Sequence, residues 1–339
     1  MATVITNLLS AIPIFGRDLV ELIWTLISNK INETNFEYLN NILVTNTLKT
    51  NSNLLNPIGK INWKKIRNIS PLTDKYKERL LSIPASYLGR LAGFIDGDGY
   101  IAVVASDAVR KYASIWLKIE LIHTDLDMLT NIKNTLGIGR INGPYKNSKG
   151  EFTVSLTFSK TELQLILFPL FFYHGIFFLT LERRLQISKA IFLMETGLNK
   201  MSDLPLIIPL STYLPSLPIN GLDYLKLSFF KSWLVGFTIA EGSFFTKNNL
   251  DSCFQLKQRI HEELFIAFRL LFNTTTKITI DKNKYAQFAV SSKKDIQTVI
   301  NFFSFSNNPL LLGNKLIQYK FWINSLKNSK RYSKLNLPE

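Results

Sequence analysis

One feature constrains this chain more than any other: the order of elements that follows Leu91–Gly99 (LAGFIDGDG) recurs after Leu234–Gly242 (LVGFTIAEG). In the first copy the motif helix runs into strands at Tyr100–Ala105 and Ala113–Ile122, and a helix spans about Asp125–Leu136. Strands at Arg140–Pro144 and Phe152–Phe158 follow, then a helix from Lys160. The second copy repeats this with Ser243–Lys247, Ser252–Arg259, a helix near Glu262–Phe272, Lys277–Asp281, Ala286–Val290 and a helix at Lys294–Phe303. A repeated unit of this size buries its apolar faces against its twin. The expected fold is therefore α+β: two pseudo-symmetric αββαββα units packed through their motif helices.

Boundaries follow from composition. The Asn-, Lys-, Thr- and Ser-rich stretch before Pro84 has no sustained period, so residues 25–83 are expected to be a linker or weakly ordered extension. Residues 84–197 and 226–339 hold the two units. Between them, residues 198–225 carry Pro205, Pro209, Pro215 and Pro218, whose spacing prevents a continuous helix. The chain has 339 residues, 46% hydrophobic, which is enough for two cores of ordinary size.

Charge narrows the partners. Forty Lys and Arg against 25 Asp and Glu give +15, which suits a polyanion. A lone cysteine, Cys253, excludes an internal disulfide and a Cys-based zinc cluster, and His123, His174 and His261 lie too far apart in sequence for a His-rich metal site. Leu163–Leu181 is apolar, but Pro169, His174 and Gly175 interrupt it, so it reads as two buried pieces rather than a membrane span.

Strand alternation assigns faces. Ile115, Leu117, Ile119 and Leu121 share one side of their strand; Ser114, Trp116, Lys118 and Glu120 share the other. In the second copy Phe254 and Leu256 oppose Gln255, Lys257 and Arg259. A solvated sheet face would alternate the same way, but a ribbon carrying Lys, Arg and Gln also suits the major groove. Candidate nucleic-acid contacts are Trp116, Lys118, Arg140, Lys146, Lys247, Gln255, Lys257, Arg259, Lys282 and Lys284.

Each motif helix ends on an acid followed by glycine, Asp98–Gly99 and Glu241–Gly242. Gly93 and Gly236 permit close helix contact at ~1 kcal/mol of helix propensity relative to alanine. Two such helices packed about a pseudo-two-fold axis deliver both carboxylates to one seam, where like charges repel unless a cation neutralises them. Hard oxygen ligands of this kind suit Mg²⁺, or another divalent cation such as Mn²⁺.

These motifs closely resemble the LAGLIDADG homing endonucleases and intron maturases, over about Tyr87 to Pro338. The resemblance implies that Asp98 and Glu241 bind metal, with Gly97 and Ala240 contributing backbone carbonyls. It also implies Lys315, in LLLGNKLIQYKFW, as a catalytic lysine and Gln258 as an organiser of active-site water. Asp96, whose counterpart is Ile239, takes a capping or structural role. In the first copy Glu182, followed by Arg183, stands where a lysine is expected, and His123 stands as the counterpart of Gln258.

The start of the chain, ATVITNLLSAIP then GRDLVELIW, resembles a loop region of cytochrome b over residues 1–24. This implies an intron reading frame fused to its upstream exon and translated in the mitochondrial matrix. The implied partner is double-stranded DNA at the intron insertion site, bound by a monomer and cut with metal, with no membrane role for the mature domain. The alternative is a maturase that binds its own group I intron RNA.

Overall fold

The computed structural model describes residues 58–59, 73–106, 109, 111–205, 208, 213–281 and 284–339. All fall within one compact unit, Leu54–Glu339. The cytochrome b-like residues 1–24, together with Pro209 and Lys282, lie outside the described residues.

The first repeat comprises α2 (Ala85–Asp98), β1 (Gly99–Ala105), β2 (Ala113–Ile122), a 3-10 turn (His123–Asp125), α3 (Leu126–Leu136), β3 (Arg140–Lys146) and β4 (Phe152–Ser159). A helical run, α4 (residues 160–173), contains a π-helical stretch at Leu163–Leu167, and α5 (Leu181–Thr196) closes the repeat. After a short α6 (Gly221–Leu225) the second repeat follows: α7 (Phe230–Glu241), β5 (Gly242–Thr246), β6 (Ser252–Arg259), α8 (Glu262–Leu271), β7 (Thr279–Asp281), β8 (Tyr285–Val290), α9 (Lys293–Ser304) and α10 (Gly313–Lys327). The sheets are antiparallel, with matching orders β1-β2-β4-β3 and β5-β6-β8-β7. Their registers also match, since Gly99 pairs with Ile119 as Gly242 pairs with Leu256.

The motif helices α2 and α7 form the seam. Ideal Cβ atoms on Gly93 and Gly236 would lie 1.8 Å from the carbonyl oxygens of Trp233 and Arg90 respectively. Each helix thus packs its backbone directly on the other, which no side chain would allow. Trp233 stacks on Phe237 at 4.7 Å, and the buried residues of both repeats run together as one continuous core rather than two. The β2 side chains predicted to face inward, Ile115, Leu117 and Ile119, are buried, as are Phe254 and Leu256 of β6.

Two expected linkers hold structure. Before Pro84, α1 (Asp74–Leu81) is capped by Thr73 and docks on α3: Tyr76 Oη donates to the Leu136 carbonyl at 3.1 Å, and Arg79 to the Asn134 and Thr135 carbonyls. Its single fully buried residue, Leu80, is too little apolar patterning to register in the sequence. In the proline-containing segment, α6 is fixed by Gly221, whose amide donates to Glu263, and by Tyr224, fully buried and hydrogen-bonded to His261. Leu163, Leu165–Leu167 and Phe168 of the apolar stretch are buried, and among the described residues no helix is long and apolar enough to cross a membrane.

Candidate active site at the helix seam

The site is built where α2 and α7 end. Asp98 and Glu241 are the last residues of their helices, and each chain then turns straight into a strand at Gly99 or Gly242. An ideal Cβ on Gly97 would lie 2.2 Å from Ala240 Cβ and 3.2 Å from Glu241 Cγ, so the bare Gly97 backbone packs against the Ala240 methyl and the Glu241 stem. Burial pushes the Glu241 carboxyl up to about 7, and the Asp98 charge pushes in the same direction. Asp98 is reached by solvent, yet the protein around it still raises its carboxyl to about 6. Lys315 and Arg183 act against the rise at both acids.

Lys315, on the first turn of α10, donates from Nζ to the carbonyl of Gly242. Burial lowers its pKa, and Asp98, Glu241 and Asp125 oppose that shift. Gln258 Nε2 donates to Glu241 Oε1 at 2.8 Å, while its own oxygen accepts from the Arg259 amide. The glutamine is thereby fixed with its donor toward the acid.

On the first-repeat side two sequence assignments change. Counting from the N-caps Thr180 and Leu312, Glu182 is the second residue of α5, as Asn314 is of α10; Arg183 is the third, as is Lys315. Arg183 is the cation of the first half. It is 5% exposed, donates from Nη2 to the Asp96 carbonyl at 3.3 Å, and interacts with both Asp98 and Glu241. Glu182 points instead to Arg259 of the other repeat, 3.0 Å away. Likewise the shared register makes Leu121, not His123, the counterpart of Gln258. His123 is exposed in the 3-10 turn, and Asp98 has an apolar neighbour where Glu241 has an amide donor.

Asp96 is buried and structural. It accepts from the Leu179 amide (2.6 Å), the Thr180 amide (3.3 Å) and hydroxyl (2.7 Å), and the Trp233 indole across the seam (2.7 Å). Burial pushes its carboxyl up to about 6, and the donors aimed at both of its oxygens oppose that rise. It ties the first turn of α5 to both motif helices.

The expected nucleic-acid residues mostly share the exposed sheet faces. Register places Lys118 beside Tyr100 and Thr157, with Arg140 next in the row, and Trp116 packs on Tyr100 at 5.8 Å. In the second sheet Gln255, Lys257 and Arg259 face the same way. Lys146 differs: a register shift between Asn142 and Tyr145 sends it with Phe152 to the opposite side. Lys284 precedes β8 and lies over the Tyr285 ring, and Lys247 reaches Ser291 Oγ at 3.4 Å. The faces are less freely basic than the sequence suggests, because Lys118 pairs with Glu120, Lys257 with Asp281 and Arg259 with Glu182.

Two adjacent carboxylates with solvent access fit a hard divalent cation that keeps water or phosphate oxygens as its other ligands. Among the described residues no group of three or more His, Cys, Asp or Glu is arranged to hold a metal.

Comparison with known proteins is consistent with this geometry. The chain matches the LAGLIDADG endonuclease family over residues 91–174 and 234–326, which together make up just over half of it. It is 29% identical over 99 residues to a probable intron-encoded endonuclease aI3 of Dictyostelium discoideum, and 91% identical over 23 residues to cytochrome b of Mycena viridimarginata. These alignments span 41% and 6% of the two relatives' own lengths. Among solved structures, the meganuclease I-SmaMI bound to uncleaveable DNA superposes with a TM-score of 0.52 at 19% identity, covering 73% of this chain and 93% of that one. The fold is shared.

Proposed function

Since the chain belongs to the LAGLIDADG endonuclease family, we propose that it is an intron-encoded, site-specific endonuclease that hydrolyses phosphodiester bonds of double-stranded DNA. The observation that carries this is the meeting of Asp98 and Glu241 at the ends of interlocked helices, with Lys315 and Arg183 as flanking cations. A divalent cation, Mg²⁺ or Mn²⁺, held by Asp98, Glu241 and the Gly97 and Ala240 carbonyls would supply Lewis-acid stabilisation of the phosphodiester and a water nucleophile at neutral pH.

The chain's own groups do the rest. Gln258 favours the Glu241 anion through its amide donor, and the second hydrogen of that amide would serve to orient an attacking water. Lys315 and Arg183 bring positive charge to the side where phosphate charge builds up. The sheet faces of β1–β4 and β5–β8 lie along the duplex, with Trp116, Lys118 and Arg140 on one and Gln255, Lys257 and Arg259 on the other. The cytochrome b-like stretch supports the intronless cytochrome b junction as target and the mitochondrion as the place of translation.

The test is Mg²⁺-dependent cleavage of a plasmid carrying that junction. Asp98→Asn and Glu241→Gln should abolish cutting and retain DNA binding; persistent cutting by either variant would sink the assignment. A second reading, a maturase acting on the group I intron RNA, draws support from exposed Tyr100, packed on the half-buried Trp116, since RNA bases stack on aromatic rings. On that reading splicing survives both acid substitutions.

A further inference from the structure

The two cation-bearing helices are anchored differently. At α5 the carboxylate that seats the first turn comes from the same repeat: Asp96 accepts from the Leu179 and Thr180 amides, and Thr180 caps the helix. At α10 the matching position of the second motif is Ile239, and the N-cap residue Leu312 has no capping side chain. The first turn of α10 is nevertheless held. Asp125, in the 3-10 turn of the first repeat, accepts the Asn314 amide at Oδ1 (2.8 Å) and the Asn314 side-chain amide at Oδ2 (2.8 Å). The same Asn314 amide group donates to Thr124 Oγ1 at 2.8 Å.

Gly313 is shaped to this contact. Its φ is +56°, and an ideal Cβ there would lie 2.2 Å from Asp125 Oδ1, so any other residue would force the carboxylate away. Arg90, from the motif helix of the first repeat, adds a bond to the Leu310 carbonyl at 2.9 Å. Asp98, Asp125, Asn314 and Lys315 line one recess of about 350 Å³. The residue immediately after the braced Asn314 is Lys315.

We propose that Asp125 is a positioning residue for strand cleavage: from the first repeat it seats the first turn of α10 and so fixes Lys315 at the Asp98–Glu241 pair. The missing motif acid at Ile239 is compensated across the seam. At the opposite junction the Glu182–Arg259 pair is exposed and dispensable, because Asp96 already seats α5. The proposal rests on the endonuclease reading for its consequence in catalysis, and on hydrogen bonds alone for the brace.

Single-turnover cleavage of the supercoiled target plasmid by saturating enzyme is measured for Asp125→Ala, Asn314→Ala, Lys315→Met and the Asp125→Ala/Lys315→Met double variant. Because misplacement by about 1 Å can cost 100-fold, Asp125→Ala and Asn314→Ala should each slow cutting at least ~10-fold at unchanged DNA affinity. Asn314→Ala keeps the Asp125 charge, so its effect separates geometry from electrostatics. In the Lys315→Met background Asp125→Ala should add less than about 2-fold, as for residues acting through one group. Multiplying effects, or full activity of Asn314→Ala, would overturn the proposal. So would loss of Mn²⁺ affinity in Asp125→Ala by calorimetry, which would make the aspartate a metal ligand. If the wild-type protein cuts nothing, the endonuclease reading is at fault, and hydrogen exchange judges the brace. Asp125→Ala must then expose the amide of Asn314, and that of Leu316 as the first turn loosens, while those of α5 stay protected; unchanged protection refutes it.

Discussion

Gly93→Ala and Gly236→Ala probe the seam on which the whole site depends. In each variant the new methyl would lie 1.8 Å from a backbone carbonyl oxygen of the partner helix, where real Cβ contacts stay beyond 3.0 Å. The obstacle is backbone, so no rotamer change relieves it, and the helices must part by about 1.2 Å in a close-packed interior. Overpacking of this kind costs roughly 1–3 kcal/mol, and here the upper end applies, with further loss as Trp233, Phe237 and Phe94 lose contact across the opened seam. The better helix propensity of alanine returns only ~1 kcal/mol. A net loss of about 3 kcal/mol lowers Tm by roughly 4–6 °C in a chain of this size, given an unfolding entropy of about 2.1 cal/mol/K per residue. Urea and thermal melts measure it, with Gly150→Ala as control: its Cβ meets nothing within 4 Å, and only its positive φ of +82° is strained. The double Gly93→Ala/Gly236→Ala variant should lose less than the sum, because helices already parted accommodate the second methyl. A Tm within about 2 °C of wild type for either single variant would refute the close-packed seam.

Three further outcomes follow from the site. Asp98 and Glu241 have folded pKa values near 6 and 7, above their ordinary values of 3.8 and 4.5. The folded state therefore binds more protons than the unfolded one, and these groups favour folding most below about pH 4 and lose that contribution as pH rises through 7. Thermal shifts should show Mg²⁺ stabilising the protein far more at pH 8 than at pH 5.5; equal shifts would mean that neither acid binds the ion. Trp233→Phe removes one donor from the buried Asp96 and should cost about 1–3 kcal/mol in urea unfolding, and an unchanged midpoint would show that the bond contributes nothing. Glu182→Gln should leave stability within ~1 kcal/mol, since the pair it breaks is exposed. The same change frees Arg259, so the salt dependence of DNA affinity should steepen by about one unit of slope, and an unaltered slope would mean that Arg259 meets no phosphate.

The repeat, the strand faces and the position of the two acids are legible in the sequence because they are local patterns. Alternation along β2 and β6 places Ile119 and Leu256 inward, and the acid–Gly step marks each helix end where a strand takes over. Asp96 stands out because its partner motif holds Ile239. Other features depend on partners far apart in the chain. Whether Glu182 or Arg183 turns to the acids depends on where α5 begins, and that is set by Thr180 and by Asp96, 84 residues earlier. The counterpart of Gln258 depends on strand register, which selects Leu121 over His123. The charges of Lys118, Lys257 and Arg259 look free in the sequence, yet the folded sheets bring Glu120, Asp281 and Glu182 within ion-pair distance. Asp125 reads as an ordinary residue before a helix until the first repeat is laid against the second, when its carboxylate meets Asn314, 189 residues away. Periodicity determines which face of an element is buried. Only packing of the two halves decides which charges meet at the seam, because electrostatic partners are chosen by distance in space.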